Sequence, residues 1–173
     1  KTMNTLNVTF SYIVKNSEES KEFEYEFSDG NCSKDDLLEA IIEHENDNKE
    51  DEDADNFTES DIELINLECD EDIHEDYNNL NDIFNYAEIY CECDQDVDVV
   101  NAAIDCDIQG SDIDEAYSGQ YDSDEDFAQE IADQLGSVDK NAAWPMNCID
   151  WEHAAKELMC DYSESNGYYF RCL

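Results

Sequence analysis

The chain has 173 residues, of which 49 are Asp or Glu and 8 are Lys or Arg, giving a formal net charge of −41. Such charge opposes compaction and repels polyanions, so direct binding of nucleic acid or an anionic membrane is excluded and a basic partner is expected. Disorder is disfavoured as well, because 40% of the residues are hydrophobic and 11% aromatic, with 5 Gly and 1 Pro, whereas unfolded acidic chains lack that apolar content.

The first elements read as a hairpin followed by a helix. LNVTFSYIV alternates Leu6, Val8, Phe10, Tyr12 and Val14 against polar residues, and EFEYEF alternates Phe23, Tyr25 and Phe27 against Glu22, Glu24 and Glu26. Ser33 with Asp36 three residues on starts a helix that buries Leu37, Leu38, Ile41 and Ile42. Residues 46 to 60 carry adjacent acids and no apolar period, and are expected to be a mobile acidic loop. A third strand is expected at 62 to 67.

Beyond it the period becomes helical. A helix near 78 to 92 places Leu80, Ile83, Phe84, Ala87 and Cys91 on one side, and a shorter one near 96 to 105 buries Val97, Val100 and Ile104. In YSGQYDSDEDFAQEIADQL, residues 117 to 135, Asp122 is expected to cap a helix whose third residue is Glu125. Its buried stripe is Phe127, Ile131 and Leu135, and Asp122, Asp126, Glu130 and Asp133 form a row on another side. Pro145 marks a connection, Asp150 begins a last helix with Trp151, Ala154, Ala155 and Leu158 inward, and GYYFRC at 167 to 172 alternates as a closing strand.

The fold class expected is therefore α+β, an N-terminal β-hairpin or small sheet with a helix, then a mostly helical acidic region with a short C-terminal strand. Three parts are expected, 1–76, 77–116 and 117–173. No apolar run approaches the roughly 18 residues that span a bilayer, and KTMNTLNVTF lacks a signal layout, which points to the cytoplasm. The eight cysteines form no CxxC pair, and reduced thiols acting as small buried apolar groups are expected.

Catalytic signatures are missing: His44, His74 and His153 stand in unrelated contexts, and no glycine-rich phosphate loop or nucleophile–base spacing occurs. The chain is therefore read as a non-enzyme without cofactor or metal. DQDVDVVNAAID at 94 to 105 mimics an EF-hand count but has Val99 where the turn needs Gly, and Asp105 where a bidentate Glu belongs. DSDEDFAQEIAD at 122 to 133 fails at the same two positions.

What remains is the field. Residues 50 to 139 contain 32 acids and no Lys or Arg, whereas an ordinary solvated surface mixes both signs. Charges three or four apart on a helix lie about 5–6 Å from one another, and alternate residues of a strand about 6.6 Å, spacings close to those of neighbouring phosphates. The net charge equals that of roughly 20 base pairs of duplex.

The surface carboxylates expected to carry this mimicry are Asp82, Glu88 and Glu92 on the first acidic helix, and Asp94, Asp96, Asp98 and Asp105 in and before the second. They continue through Asp107, Asp112, Asp114 and Glu115, then Asp122, Asp124, Glu125, Asp126, Glu130 and Asp133, and end with Glu152 and Asp161. Glu22, Glu24 and Glu26 make a secondary N-terminal face.

The block Tyr-x-Gly-x-Tyr-Asp-Ser-x-Glu-x-Phe-Ala within 117 to 135, the segment IDWEHAAKELMCDY at 149 to 162 and GYYFR at 167 to 171 resemble the ArdA antirestriction proteins, more loosely back to about residue 77. Residues 1 to 76 do not match. The resemblance implies an elongated, commonly dimeric DNA mimic, encoded by phages or mobile elements. It would occupy the basic DNA-binding channel of type I restriction-modification enzymes, with Asp122, Asp124, Glu125, Asp126, Glu152 and Asp161 among its acting groups. An anti-CRISPR protein, blocking the nucleic-acid channel of a CRISPR effector, is the alternative target class. An acidic chaperone for a basic DNA-binding protein and a calcium-binding protein are the alternatives of other kinds.

Overall fold

The computed structural model describes residues 4–49, 55–136, 138, 144 and 148–173, which belong to two compact units, Lys1–Asn101 and Ala102–Leu173. The first is built on the alternating strand β1 (Leu6–Val14), whose Leu6, Val8, Phe10, Tyr12 and Val14 are all buried. It pairs antiparallel with β2 (Ser20–Phe27) on one side and β3 (Ile62–Cys69) on the other, in the order β2-β1-β3. The β1–β2 connection includes Asn16 at φ 67°, a left-handed conformation that Asn tolerates better than most side chains.

Two helices supply the other half of this core. Helix α1 (Lys34–Asp47) starts with a capping box in which Ser33 and Asp36 exchange backbone–side-chain hydrogen bonds of 3.1 Å, and it buries Leu37, Leu38 and Ile41. Helix α2 (Ile83–Glu92) brings Phe84 against the sheet, its ring stacked on Phe10 at 6.1 Å and edge-on to Phe27 at 5.8 Å. Each such ring pair adds about 0.5–1.5 kcal/mol beyond the area it buries.

One carboxylate is enclosed with this core. Glu45, 5% exposed, accepts a 2.5 Å hydrogen bond from the Tyr12 hydroxyl and a 2.6 Å bond from Lys21 Nζ. Burial pushes its pKa upward, but the Lys21 and Tyr12 hydrogen bonds and the Lys21 charge outweigh burial and hold the pKa below the ordinary glutamate value.

The second unit contains α4 (Ile113–Ala116), β4 (Tyr117–Gln120), α5 (Asp124–Gln134), α6 (Trp151–Leu158), β5 (Tyr162–Ser165) and β6 (Tyr168–Arg171). Its sheet is antiparallel in the order β4-β6-β5, and the β5–β6 hairpin turns through Asn166 at φ 53° and Gly167 at φ 83°, the two positive φ values of a type I′ turn. Helices α5 and α6 pack together. The core centres on Phe127, whose ring stacks on Tyr169 at 4.4 Å and meets Tyr162 edge-on at 4.9 Å, with Ile113, Ala116 and Phe170 fully buried.

The α+β class and the N-terminal sheet-and-helix arrangement are as read from sequence, with the third strand in place. Several details differ. The second unit has a three-stranded sheet instead of one closing strand, because runs of four residues at 117–120 and 162–165 are too short to display alternation. The α2 helix starts at Ile83 and not near 78, since Asn79 Oδ1 accepts from the Asn81 and Asp82 backbone N–H groups (3.0 and 3.2 Å) and turns the chain first. Leu135, expected in the buried stripe of α5, is 75% exposed as the residue that caps the helix C-terminus.

Compared with the three parts expected, 1–76, 77–116 and 117–173, the chain divides once, after Asn101 and inside α3 (Val97–Asp105). The reason is Phe84: it ties α2 to the sheet of residues 6–69. Of the acidic loop expected at 46–60, residues 46–47 finish α1, and Asn46 Oδ1 accepts from Phe57 N–H at 2.8 Å, so that its two ends are joined. Pro145 lies outside the described residues. Cys91 and Cys93 are buried as expected of apolar thiols, but Cys148, Cys160 and Cys172 are exposed. Among the described residues no helix is long and apolar enough to cross a membrane.

Replacing Lys21 with Met leaves Glu45 enclosed without its cation and is expected to lower unfolding stability by about 1–2 kcal/mol at pH 7, discounted because the Lys21 side chain is half in water. Glu45 has a depressed folded-state pKa, so its contribution is present above the ordinary glutamate pKa and disappears as pH falls through the folded-state pKa. The wild-type advantage over Lys21→Met should therefore shrink as pH drops from 7 toward 4. Urea unfolding at a series of pH values checks this.

Candidate functional site

The outer face of the first sheet carries carboxylates in two lines. On β2, Glu22, Glu24 and Glu26 are exposed and sit opposite Ser11, Thr9 and Asn7 of β1. Across the same central strand, Thr9 faces Glu68 and Ile13 faces Glu63 on β3. Glu63 and Glu68 are an odd number of residues apart and would ordinarily point to opposite faces. A β-bulge reconciles them: Ser11 pairs with Asn66 and Tyr12 with Leu64, so Ile65 is the extra residue and both acids face outward. By sheet geometry, neighbouring charges on β2 are about 6.6 Å apart, Glu63 and Glu68 on β3 are about 13 Å apart with Asn66 at the outward position between them, and the two lines are about 9–10 Å apart, with a neutral strand between them.

Sequence reading identified Glu22, Glu24 and Glu26 but missed Glu63 and Glu68. IELINLEC reads as an interrupted apolar run, and only the pairing register reveals that its acids complete a face begun on β2.

Helix α2 exposes Glu88 and Glu92 one turn apart, while Asp82 precedes its first residue and is half-buried. Asp94 and Asp96 are exposed between α2 and α3, and Asp98 is exposed in the first turn of α3, where the helix dipole favours negative charge.

In the second unit, Asp105, Asp107, Asp112, Asp114 and Glu115 are exposed around the end of α3 and along α4. Asp105 Oδ2 accepts from Ser165 Oγ at 2.7 Å, and Asp107 has a left-handed backbone at φ 58° that ends the helix. Asp161 is exposed just before β5, and Glu152 on α6 pairs with Lys156 at 2.6 Å, so part of its charge is cancelled locally.

Helix α5 corrects one expectation. Its N-cap is Ser123, not Asp122: Ser123 Oγ accepts from Asp126 N–H at 3.1 Å and donates to Asp126 Oδ2 at 2.9 Å. Serine wins because its extended backbone places the hydroxyl over the first turn, leaving Asp122 exposed outside the helix. The row of four expected acids therefore reduces to Asp126, Glu130 and Asp133, of which the last two are half-buried, as is Glu125. Asp124, exposed, accepts from the Tyr169 hydroxyl at 2.7 Å; burial first, then this bond and the Asp124 charge, push the Tyr169 pKa well above the ordinary phenol value.

The two acidic windows with an EF-hand-like count fold largely as helices, α3 from Val97 and α5 from Asp124, and a helix does not wrap its carboxylates around one cation. Among the described residues, no group of three or more His, Cys, Asp or Glu side chains is arranged to hold a metal ion. Lysines that could balance the field are engaged at other places, Lys15 with Asp61 at 3.4 Å and Lys21 with Glu45.

The arrangement is thus a dispersed set of outward carboxylates held on strands, helices and their caps, with aromatic side chains beneath. Comparison of the chain with family models, curated proteins and solved structures returns no match.

Because Ser123 and not Asp122 caps α5, Ser123→Ala is expected to cost about 1 kcal/mol of stability, and Asp122→Ala to cost nothing measurable. Urea unfolding followed by circular dichroism distinguishes the two, and equal losses would contradict the capping geometry.

Proposed function

We propose that the chain is a stoichiometric, non-enzymatic DNA mimic that occupies the basic DNA-binding channel of a bacterial defence nuclease in the cytoplasm of the host cell. The observation that carries the reading is the stretch of 32 acids without Lys or Arg over residues 50 to 139, whose described carboxylates sit mostly exposed on ordered elements. A channel lined with Lys and Arg gains from such a polyanion, and a pre-ordered surrogate loses little configurational freedom on docking.

The ArdA resemblance of residues 117–135, 149–162 and 167–171 directs the reading to type I restriction-modification enzymes. A CRISPR effector is the second reading. It is favoured by the two-line carboxylate face of β2 and β3, which lies outside the segment that carries the resemblance.

Displacement of a labelled duplex from a purified type I enzyme, and in parallel from a CRISPR effector, tests both. The reading requires near-equimolar displacement from one of them, weakening as salt rises while the chain's own melting temperature increases through screening of self-repulsion. Displacement from neither overturns it.

An exposed ion pair contributes about 0.2–1 kcal/mol, so single Glu→Gln changes should weaken inhibition only about twofold. Neutralising Glu22, Glu24, Glu26, Glu63 and Glu68 together, or Glu88, Glu92, Asp122, Glu130 and Asp133 together, should weaken it by roughly tenfold or more on the same scale. The half-inhibitory concentration reads the effect, and one carboxylate whose loss abolishes inhibition would indicate a discrete site instead of a distributed surface.

A further inference from the structure

We propose that the outer face of the first sheet is a docking trough for one basic α-helix of the target, laid along β1 with its Lys and Arg side chains in two rows. The inference rests on the DNA-mimic reading and names the element of the target that this face meets. The trough is a product of register. On β1 the outward residues Asn7, Thr9 and Ser11 carry short side chains, and half-exposed Ile13 closes the floor at one end. The longer Glu22, Glu24 and Glu26 stand along one side on β2, and Glu63 and Glu68 along the other on β3. A low neutral floor thus runs between two carboxylate walls.

The wall residues are also the unengaged acids of this unit. Glu45 is held by Tyr12 and Lys21, Asp36 by the α1 cap, and Asp61 by Thr58 and Lys15. Among the described residues, none of the wall glutamates takes part in a hydrogen bond or an ion pair. Their acceptor oxygens are therefore open to a partner's donors.

Width selects a helix over an extended chain. The walls are about 9–10 Å apart, whereas an added strand would reach only about 4.8 Å to either side. A helix with its side chains is about 10–12 Å across and touches both walls at once. The backbone groups of β1 are also consumed by its two neighbours, so an extended peptide gains no ladder bonds on this face.

Spacing along the walls sets the pattern of the partner. Helix residues i, i+4 and i+8 climb about 6 Å per step, close to the 6.6 Å or so between alternate strand residues. Three basic residues in such a row match Glu22, Glu24 and Glu26. On the other side, basic residues at i and i+8 match Glu63 and Glu68, with an uncharged residue between them opposite Asn66. Thr9 lies between Glu24 and Glu68, the one level at which both walls carry an acid. Arginine suits these positions best, because its planar fork binds a carboxylate through two parallel hydrogen bonds.

The test measures binding of the full chain to labelled alanine-rich helical peptides by fluorescence anisotropy. One peptide type carries arginines at i, i+4 and i+8 in one row and at i and i+8 in the other, made in both left–right orders of the rows. The control has the same composition with its arginines spread around the helix. The better two-row peptide should bind about tenfold or more tightly than the control, the sum of several exposed ion pairs. Thr9→Lys, which puts a cation on the floor, and the double change Glu24→Gln with Glu68→Gln should each bring that ratio close to one, with circular dichroism confirming the fold. Equal binding of two-row and control peptides overturns the inference, as does a preference that survives in either folded variant. Duplex displacement from the defence nucleases is read separately on the wild-type chain. Displacement without the row preference overturns the helix inference alone, and the row preference without displacement overturns the DNA-mimic reading alone.

Discussion

Like-charge repulsion is the condition under which every element of this chain folds, and two aromatic seams are what oppose it. In the first unit Phe10, Phe27 and Phe84 meet at ring distances of 5.8–6.1 Å, and in the second Phe127 lies against Tyr169 and Tyr162 at 4.4–4.9 Å. Apolar burial is indifferent to the sign of surface charge, so a chain can accumulate carboxylates outside as long as the seams inside stay intact. Aliphatic and aromatic residues on the alternate positions of β1 and β2 do this for the sheet, and Leu37, Leu38 and Ile41 do it for α1.

The carboxylates divide by the company they keep. Asp36 and Asp126 complete helix caps, Glu45 accepts from Tyr12 and Lys21, Asp105 from Ser165 and Asp124 from Tyr169. These groups convert negative charge into local order, because an ionised acceptor makes a stronger hydrogen bond than a neutral one. The residues of the β2 and β3 lines and Glu88, Glu92, Asp94, Asp96 and Asp98 face outward, and their spacing is imposed by backbone geometry. The separation of structural from outward acids is what lets one residue type serve both stability and the proposed mimicry.

The legible parts of the fold were those with long periods. Nine residues of alternation in β1, the Ser33–Asp36 cap and the Asp150 start of α6 are each explicit in the chain, and each is present. Asp122 and Ser123 are both good caps by type, and only backbone conformation selects between them. The four-residue strands β4 and β5 leave no alternation to read, and membership of the β3 acids in the sheet face depends on a bulge that no single strand announces. Surface acids as a class were readable from composition, whereas partners such as Tyr169 for Asp124 depend on tertiary packing between segments far apart in sequence.

The positions of β2 and β3 at the two margins of the first sheet have a further consequence. A margin strand with unpaired backbone groups is a template onto which another copy can add, the route to fibrous aggregation. On β2 a glutamate recurs at every second position from Glu22 to Glu26, and β3 carries Glu63 and Glu68. A second chain stacking there in register would bring like charges directly opposite, within about 5 Å, the least favourable cross-strand pairing. The same acids thus protect a small open sheet from growing, and the chain can reach high concentration without its edges becoming seeds.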